Sequence, residues 1–281
     1  MPDLNTATVR TLTEYTGRLE EILVLTKERN PDLICQNWYR GVDDNHFRLQ
    51  PGLFRVHRAS ELEYLKLEAQ MMQDFERHAI LRGTADPDGE DKRSRILKLF
   101  HMQHYSVPTR LLDWSTNPFT AMYFALSTGM DKPNDPCVWV MDPWAWNEGV
   151  LRQASWGKRG PAHVNESAVQ AWHPEEDYTE REHRAMAMDP AAVLGVYNTE
   201  RMRAQRGVFS IFGKGYRPME EVYADPASKI AQDALFRIDI DRGSAPAMLN
   251  QLIAMGFTDS VAYPDFQGVA KEIRRTYGYS L

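Results

Sequence analysis

The run TRLLDWSTNPFTAMYFA, residues 109–125, constrains the fold more than any other stretch of the chain. The branched and aromatic residues of TRLLDW favour a short strand. Asn117 and Pro118 then supply the two residue types that start a helix: a side-chain acceptor at the cap, and a ring whose missing N–H is not needed in the first turn. Met122, Tyr123, Phe124 and Leu126 make that helix apolar and read as core. Strand, corner and buried helix in so short a run demand a sheet covered by helices.

Other elements follow from the same rules. Val9, Leu12, Leu19, Ile22 and Leu23 recur at helical spacing and predict a helix over 8–29, ended by Asn30-Pro31 and lying on the main body. LICQNWYRG (33–41) predicts a strand closed by glycine, and LQPGLFR (49–55) a turn. Ser60 and Glu63 have capping-box spacing for a helix through about Ile80. After the loop ADPDGEDKR (85–93), a helix over 93–104 runs into HYSVPT, where Pro108 biases Val107 away from helix and into an extended strand. CVWVMD (137–142) predicts a buried strand, and Asp142-Pro143 starts a second helix in the manner of Asn117-Pro118. Residues 158–189 are polar and rich in His and Glu; they read as an excursion or lid, with His163, His173 and His183 solvated. Beyond them AAVLGVYN, VFSIF, ALFRIDI and SVAYPD predict strands and ERMRAQRG a turn or short helix, with helices over 245–255, ended by Gly256, and from about 266. The irregular alternation, free of repeats, predicts a single α+β domain.

At 281 residues and 43% hydrophobic content the chain can fill a proper core. A net charge of −6 argues against a generally basic nucleic-acid binder while leaving room for a local basic cleft. The two cysteines, Cys35 and Cys137, are too few and too far apart for a disulfide framework or a Cys-x-x-Cys site, which fits a reducing cytoplasm. No stretch approaches the roughly 18 apolar residues of a membrane span, and the polar N-terminus lacks a signal-peptide run, so the expectation is a cytoplasmic protein without a membrane partner.

Candidate chemistry gathers in three places. In WYRG, Arg40 beside Gly41 can present a guanidinium fork to a phosphate or carboxylate, with Tyr39 flanking it and the glycine letting a ligand approach; the alternative is an arginine paired with a structural carboxylate. Arg48 and Arg55 either add to that positive site or are ordinary surface charges. In the opening run, Arg110 and Asp113 are three apart on a strand, so they face opposite ways and each needs its own partner, with Arg110 a candidate substrate contact. Trp114, Ser115 and Thr116 precede a helix N-terminus that favours an anion, or else they support capping and core. In RMRAQRGVFSIFG, Gln205 can reach a ligand hydroxyl without carrying charge, or hold a turn. His101 and His104 share a helix face, yet His46, His57 and His78 add no recognisable metal spacing; no metal is predicted, and His104 reads as a hydrogen-bonding residue near Pro108. No G-x-S-x-G elbow and no glycine-rich phosphate loop occurs.

Trp38-Tyr39-Arg40-Gly41, HMQHYSVPTRLLDWSTNPFTAMYFA, RAQRGVFSIF and YPDFQGVAKEI together resemble the FRG domain family, named for a Phe-Arg-Gly triplet that here carries Tyr39 in place of Phe. The family run Gln-His-Tyr-Gly-x-Pro-Thr-Arg-Leu-Leu-Asp-Trp-Thr is matched from Gln103 onward, with Ser106 in place of Gly and Ser115 in place of Thr. The resemblance spans about 33–275 and implies an N-terminal helical segment over 1–31 and an FRG domain over 32–281.

A second similarity is one of order. ADP-ribosyltransferases of the Arg-Ser-Glu type carry an early-strand Arg, a Ser-Thr-Ser segment leading into an apolar helix, and a Glu or Gln near a later strand; Arg40, Trp114-Ser115-Thr116 and Gln205 follow that order. The similarity implies a central, mostly antiparallel split sheet flanked by helices, with NAD as substrate. Arg40 would hold the pyrophosphate, Ser115 or Thr116 a ribose, Trp114 or Tyr39 the nicotinamide ring, and Gln205 a ribose 2′-hydroxyl. Gln205 departs from the usual carboxylate, so Asp113, Glu200 or Asp265 would have to supply charge to an oxocarbenium-like state. The implied activity is ADP-ribosyl transfer to an unidentified macromolecule, or NAD hydrolysis, in a toxin or phage-defence effector. The alternatives are a non-catalytic nucleotide or nucleic-acid binding module and, third, a metal-dependent nuclease built on Asp113, Asp265 and a histidine.

Overall fold

A computed structural model describes residues 6–29, 37–80, 92–128, 132–151, 160–195 and 200–279. In chain order the elements are β1 (Thr6–Val9), α1 (Leu12–Arg29), β2 (Trp38–Val42), a 3-10 turn (Gly52–Arg55), α2 (Glu61–Ile80), α3 (Lys92–His104), β3 (Leu111–Ser115), α4 (Pro118–Leu126), β4 (Cys137–Met141) and α5 (Pro143–Val150). Then come β5 (Ala162–His163), a second 3-10 turn (Ser167–Trp172), α6 (Glu180–Ala185), β6 (Ala191–Leu194), α7 (Glu200–Ala204), β7 (Gly207–Ile211), α8 (Met219–Ala224), β8 (Leu235–Ile240), α9 (Ala245–Ala254), α10 (Asp259–Ala262) and α11 (Phe266–Thr276).

The eight strands form one sheet in the order β1-β8-β4-β2-β3-β7-β6-β5, parallel only at its two edges and antiparallel between them. Its middle is weak. β2 pairs with β4 along five residues and β3 with β7 along five, yet β2 and β3 meet at one pair only, Tyr39 opposite Ser115. The sheet is thus two four-stranded halves joined at a point, and beyond it the strands diverge.

Strand alternation assigns the layers. In the first half, Tyr39, Val138, Val140, Phe236 and Ile238 pack with Tyr15, Leu19 and Ile22 of α1, with Met122 and Leu126 of α4 and with Leu249 of α9. The other face of that half carries Trp38, Trp139 and Met141 against Leu53, Phe54, Trp146 and Met219. In the second half, Leu111, Phe209 and Ile211 are covered by Ile96, Leu99 and Phe100 of α3. Because Tyr39 and Ser115 are directly opposed, Leu111, Asp113 and Ser115 share the face of Tyr39 and Gly41, and the split opens between α3 and α4.

Several expectations are corrected. The first helix starts at Leu12, and Thr6–Val9 is an edge strand held by β8. SVAYPD is the four-residue helix α10 and its exit, not a strand, while Val107 lies between α3 and β3, outside any strand. Residues 33–36 and 196–198 of two predicted strands lie outside the described residues, as do residues 158–159 of the polar excursion. From residue 160 that excursion is an integral layer: Val164, Val169, Trp172 and Tyr178 are buried, and none of its residues borders the central cavity, so it is not a lid over it. His173 is buried with Nε2 against the carbonyl of Val164, and His183 meets Glu61; only His163 is exposed. Among the described residues no helix is long and apolar enough to cross a membrane.

Candidate functional site

Where β2 and β3 part, a cavity of about 580 Å³ opens, within the range of small-molecule sites. Arg40 bridges the gap. Its Nη1 donates to the main-chain carbonyl of Asp113 at 2.6 Å, so a guanidinium spans the place where a continued ladder would run. Its Nε is buried and has no acceptor, and the same holds for the indole N–H of Trp114, a cavity-lining side chain that is 3% exposed. Two buried donors without acceptors beside one cavity are costly unless a ligand supplies the acceptors.

The Tyr39-Arg40-Gly41 triplet divides its work by alternation. Tyr39 packs in the core under α4. Gly41 lies against the same helix so closely that an added Cβ would sit 1.7 Å from the carbonyl oxygen of Ala121. The expectation that this glycine lets a ligand approach is therefore corrected: it borders the cavity, but what approaches it is the α4 backbone. Arg40, between them, points the other way and into the split.

Charge in the cavity wall is predominantly positive. Arg48 is neutralised by Glu220 and Glu221, and Asp43 by Lys132. Arg40, Arg55 and Arg201 then line the cavity with one remaining carboxylate, Asp113. Burial pulls the Arg40 guanidinium below its ordinary pKa; Asp113 opposes the shift and Arg55 adds to it. Arg55 thus belongs to the site and Arg48 is spent elsewhere. Asp113 is exposed to the cavity and its Oδ2 accepts from Gln103 Nε2 at 2.8 Å, while Gln103 Oε1 accepts from the Thr109 hydroxyl. The α3 end is thereby locked to β3. His104, one residue on, is held below the usual histidine pKa by partial burial and by Arg201 and His101, with Asp265 opposing; near pH 7 it is a neutral imidazole.

The corner after β3 is occupied with its own structure. Ser115 Oγ donates to the carbonyl of Gln205 at 2.6 Å and accepts from Asn117 N–H, and Thr116 N–H bonds the carbonyl of Arg206. Asn117 caps α4 by accepting from Phe119 N–H. The corner thus uses the N–H groups of Thr116, Asn117 and Phe119 in its own structure, while Thr120 in the first turn of α4 borders the cavity. Ser115 borders the cavity and Thr116 does not. Gln205 borders it too, with its amide nitrogen given to the carbonyl of Ala262 at 2.9 Å. Arg110 does not reach the cavity. It is fully buried, paired with Glu68 at 2.7 Å and bonded to the carbonyl of Phe212, so its expected substrate contact is replaced by a structural one.

Sequence reasoning singled out neither Gln103 nor Arg201 as a site residue. Gln103 stood in the quoted HMQHY segment, one residue from His104. Arg201 lies one helical turn before Gln205, and its guanidinium stacks 4.7 Å above the ring of Tyr263. Glu200's side chain lies outside the described residues, and Asp265 caps α11 through Gln267 and Gly268 N–H. Among the described residues no three His, Cys, Asp or Glu side chains converge as metal ligands would.

No curated protein and no solved structure matches the chain. The family model of the FRG domain matches residues 36–134. That span supplies the arginine in the split, the Gln103–Asp113 lock and the α3 and α4 walls, whereas Arg201 and Gln205 come from beyond it. The α+β chain with its split sheet carries an FRG domain over residues 36–134.

Proposed function

We propose that the cavity binds NAD through its pyrophosphate and that the protein is an ADP-ribosyltransferase or NAD glycohydrolase. The observation that carries this reading is Arg40, a guanidinium fixed in the split with a buried N–H lacking an acceptor, and with Arg55 and Arg201 adding positive charge. Such a fork suits the paired oxygens of a phosphate. Trp114 and Tyr39 border the same space, with Trp114 holding a donor to spare. In the reaction the bond from ribose C1′ to the nicotinamide nitrogen breaks and nicotinamide leaves with the electron pair. Positive charge grows on the ribose, where the Asp113 carboxylate, oriented by Gln103, stabilises it. Water or an acceptor hydroxyl forms the new bond to C1′, and neutral His104 takes its proton. Gln205, a dipole in place of a carboxylate, orients the ribose.

The test is nicotinamide release from NAD, alone and with cell extract, alongside mass addition to extract proteins. Arg40→Ala is expected to lower release at least about 100-fold, and Arg40→Lys to restore only part of it because an ammonium lacks the fork. Expression of the active protein is expected to arrest growth and deplete NAD, as a toxin or phage-defence effector would, and Arg40→Ala to relieve both. Absence of release, of transfer and of NAD binding would overturn the reading.

One observation favours a second reading, a non-catalytic nucleotide or nucleic-acid binding module. The corner's polar groups are engaged in structure: Ser115 holds Gln205, and Gln205 holds Ala262. Saturable nucleotide binding that raises the melting temperature without product is its expected signature.

A further inference from the structure

Helix α11 is amphipathic in the reverse sense to a normal surface helix. Its polar side faces the protein. Arg275 gives Nε and Nη2 to the Asp259 carboxylate at 2.8 and 3.0 Å, Glu272 accepts from Ser260 N–H at 3.2 Å, and Lys271 Nζ sits 4.1 Å over the ring of Tyr263. Gly268 completes that side: a Cβ there would lie 1.9 Å from the carbonyl oxygen of Tyr263, so the helix backbone rests directly on the body. The apolar side faces out. Phe266 is 92% exposed, Val269 45%, Ile273 54% and Tyr277 75%, at spacings that align them in one stripe, and Tyr279 just beyond is 70% exposed. The inward bonds fix which side is outward, so the stripe cannot roll into the core without breaking them.

We propose that this stripe pairs with the same stripe of a second copy of the chain, about a two-fold axis. The three exposed rings alone offer on the order of 500 Å² of apolar surface, well over half of the ~800 Å² that each partner buries in a stable interface; Val269 and Ile273 fill the gaps between them. An apolar patch of that size is at the upper end of what a monomer leaves in water, where the largest patch is often functional. Steps of three, four and four residues keep the stripe on one face, where i±4 ridges can pack into a facing helix, and a two-fold contact needs only this one self-complementary patch. An anionic lipid surface fits less well, because two of the helix's three cations, Lys271 and Arg275, turn inward to Tyr263 and Asp259.

Light scattering coupled to size exclusion, on the full chain at about 5–100 μM, is expected to give twice the 32.4 kDa chain mass, falling on dilution. The double substitution Phe266→Glu with Ile273→Glu is expected to give the monomer across that range with its circular-dichroism spectrum retained, while Val56→Glu, at another exposed apolar position, leaves the dimer intact. A wild-type monomer at the highest concentration, or a dimer indifferent to the double substitution, overturns the proposal. So does a wild-type monomer that floats with phosphatidylserine vesicles, which would assign the stripe to lipid.

Discussion

Ser106 shows how a single dihedral angle is written into a family motif. The helix α3 ends with Ser106 N–H on the carbonyl of Gln103 and Val107 N–H on that of Met102, the bond pair that closes a helix through one left-handed residue. Ser106 is that residue, with φ at +62°. The FRG pattern places glycine there, which takes the conformation without the clash a Cβ makes. Ser106→Gly is therefore expected to raise stability by about 0.5–1 kcal/mol, relief of strain outweighing the added freedom of the unfolded chain. Chemical denaturation should show the midpoint moving up with the slope unchanged; an unmoved or lower midpoint would mean the turn stores no strain. Ser106 itself borders the cavity, and the turn it relaxes sets where Gln103 and His104 stand. Arg40 stood out by its neighbours alone, and it borders the cavity. Its partner was not: the Asp113 carbonyl lies 73 residues along the chain, and backbone acceptors leave no mark in a sequence.

Among the elements, those with local start signals were readable and those defined by distant partners were not. Asn117-Pro118 and Asp142-Pro143 start α4 and α5 as their residue types dictate, each cap side chain accepting from the first turn. β1 has only four residues and gains its identity from β8, more than two hundred positions away. α10 mimics a strand because SVAY carries β-branched and aromatic residues, and its helical turn is imposed by Asp259, which is buried and bonded to Tyr123 and Arg275. The segment after residue 160 has a polar composition, but its few apolar side chains are the ones that face the sheet. The contact of α4 on β2 is the element-level counterpart of the family triplet. Gly41 admits the Ala121 carbonyl, and backbone, unlike a flexible side chain, has nowhere to move. Gly41→Ala is expected to cost about 3 kcal/mol or more by forcing α4 off the sheet, roughly 6–12 °C in melting temperature for a domain of this size. A melting temperature within about 2 °C of wild type would refute the close-packing role and return Gly41 to the ligand. Loss of activity alone would not separate the two.

For the molecule as a whole, α+β class and a sheet with helices on it were legible from the alternation of patterns; the point-like join at Tyr39 and Ser115, which creates the cavity, depends on where strands stop pairing. The outer end of the structure hangs on one carboxylate. Asp259 accepts from the Tyr123 hydroxyl in α4 and from two nitrogens of Arg275 in α11, so three elements share it. Burial alone would raise its pKa, but the bonds from Arg275 and Tyr123 outweigh burial and hold it below the ordinary aspartate value. The unfolded chain therefore takes up this proton at a higher pH than the folded one. The stabilisation is complete above the unfolded value near pH 4, and it is lost as pH falls through the lower folded value. Asp44 and Asp241 are shifted in the same direction by their own hydrogen bonds and steepen the same acid limb. Asp259→Asn retains the shape and removes the charge, leaving Arg275 without its ion-pair partner. It is expected to cost about 2–3 kcal/mol at pH 7. The difference from wild type should shrink as pH drops from about 5 to 3, because the wild-type carboxylate then becomes neutral as well. Melting temperatures of the two proteins across that range decide the matter: converging curves place Asp259 at the centre of the acid response, and a constant gap would show that its role is steric.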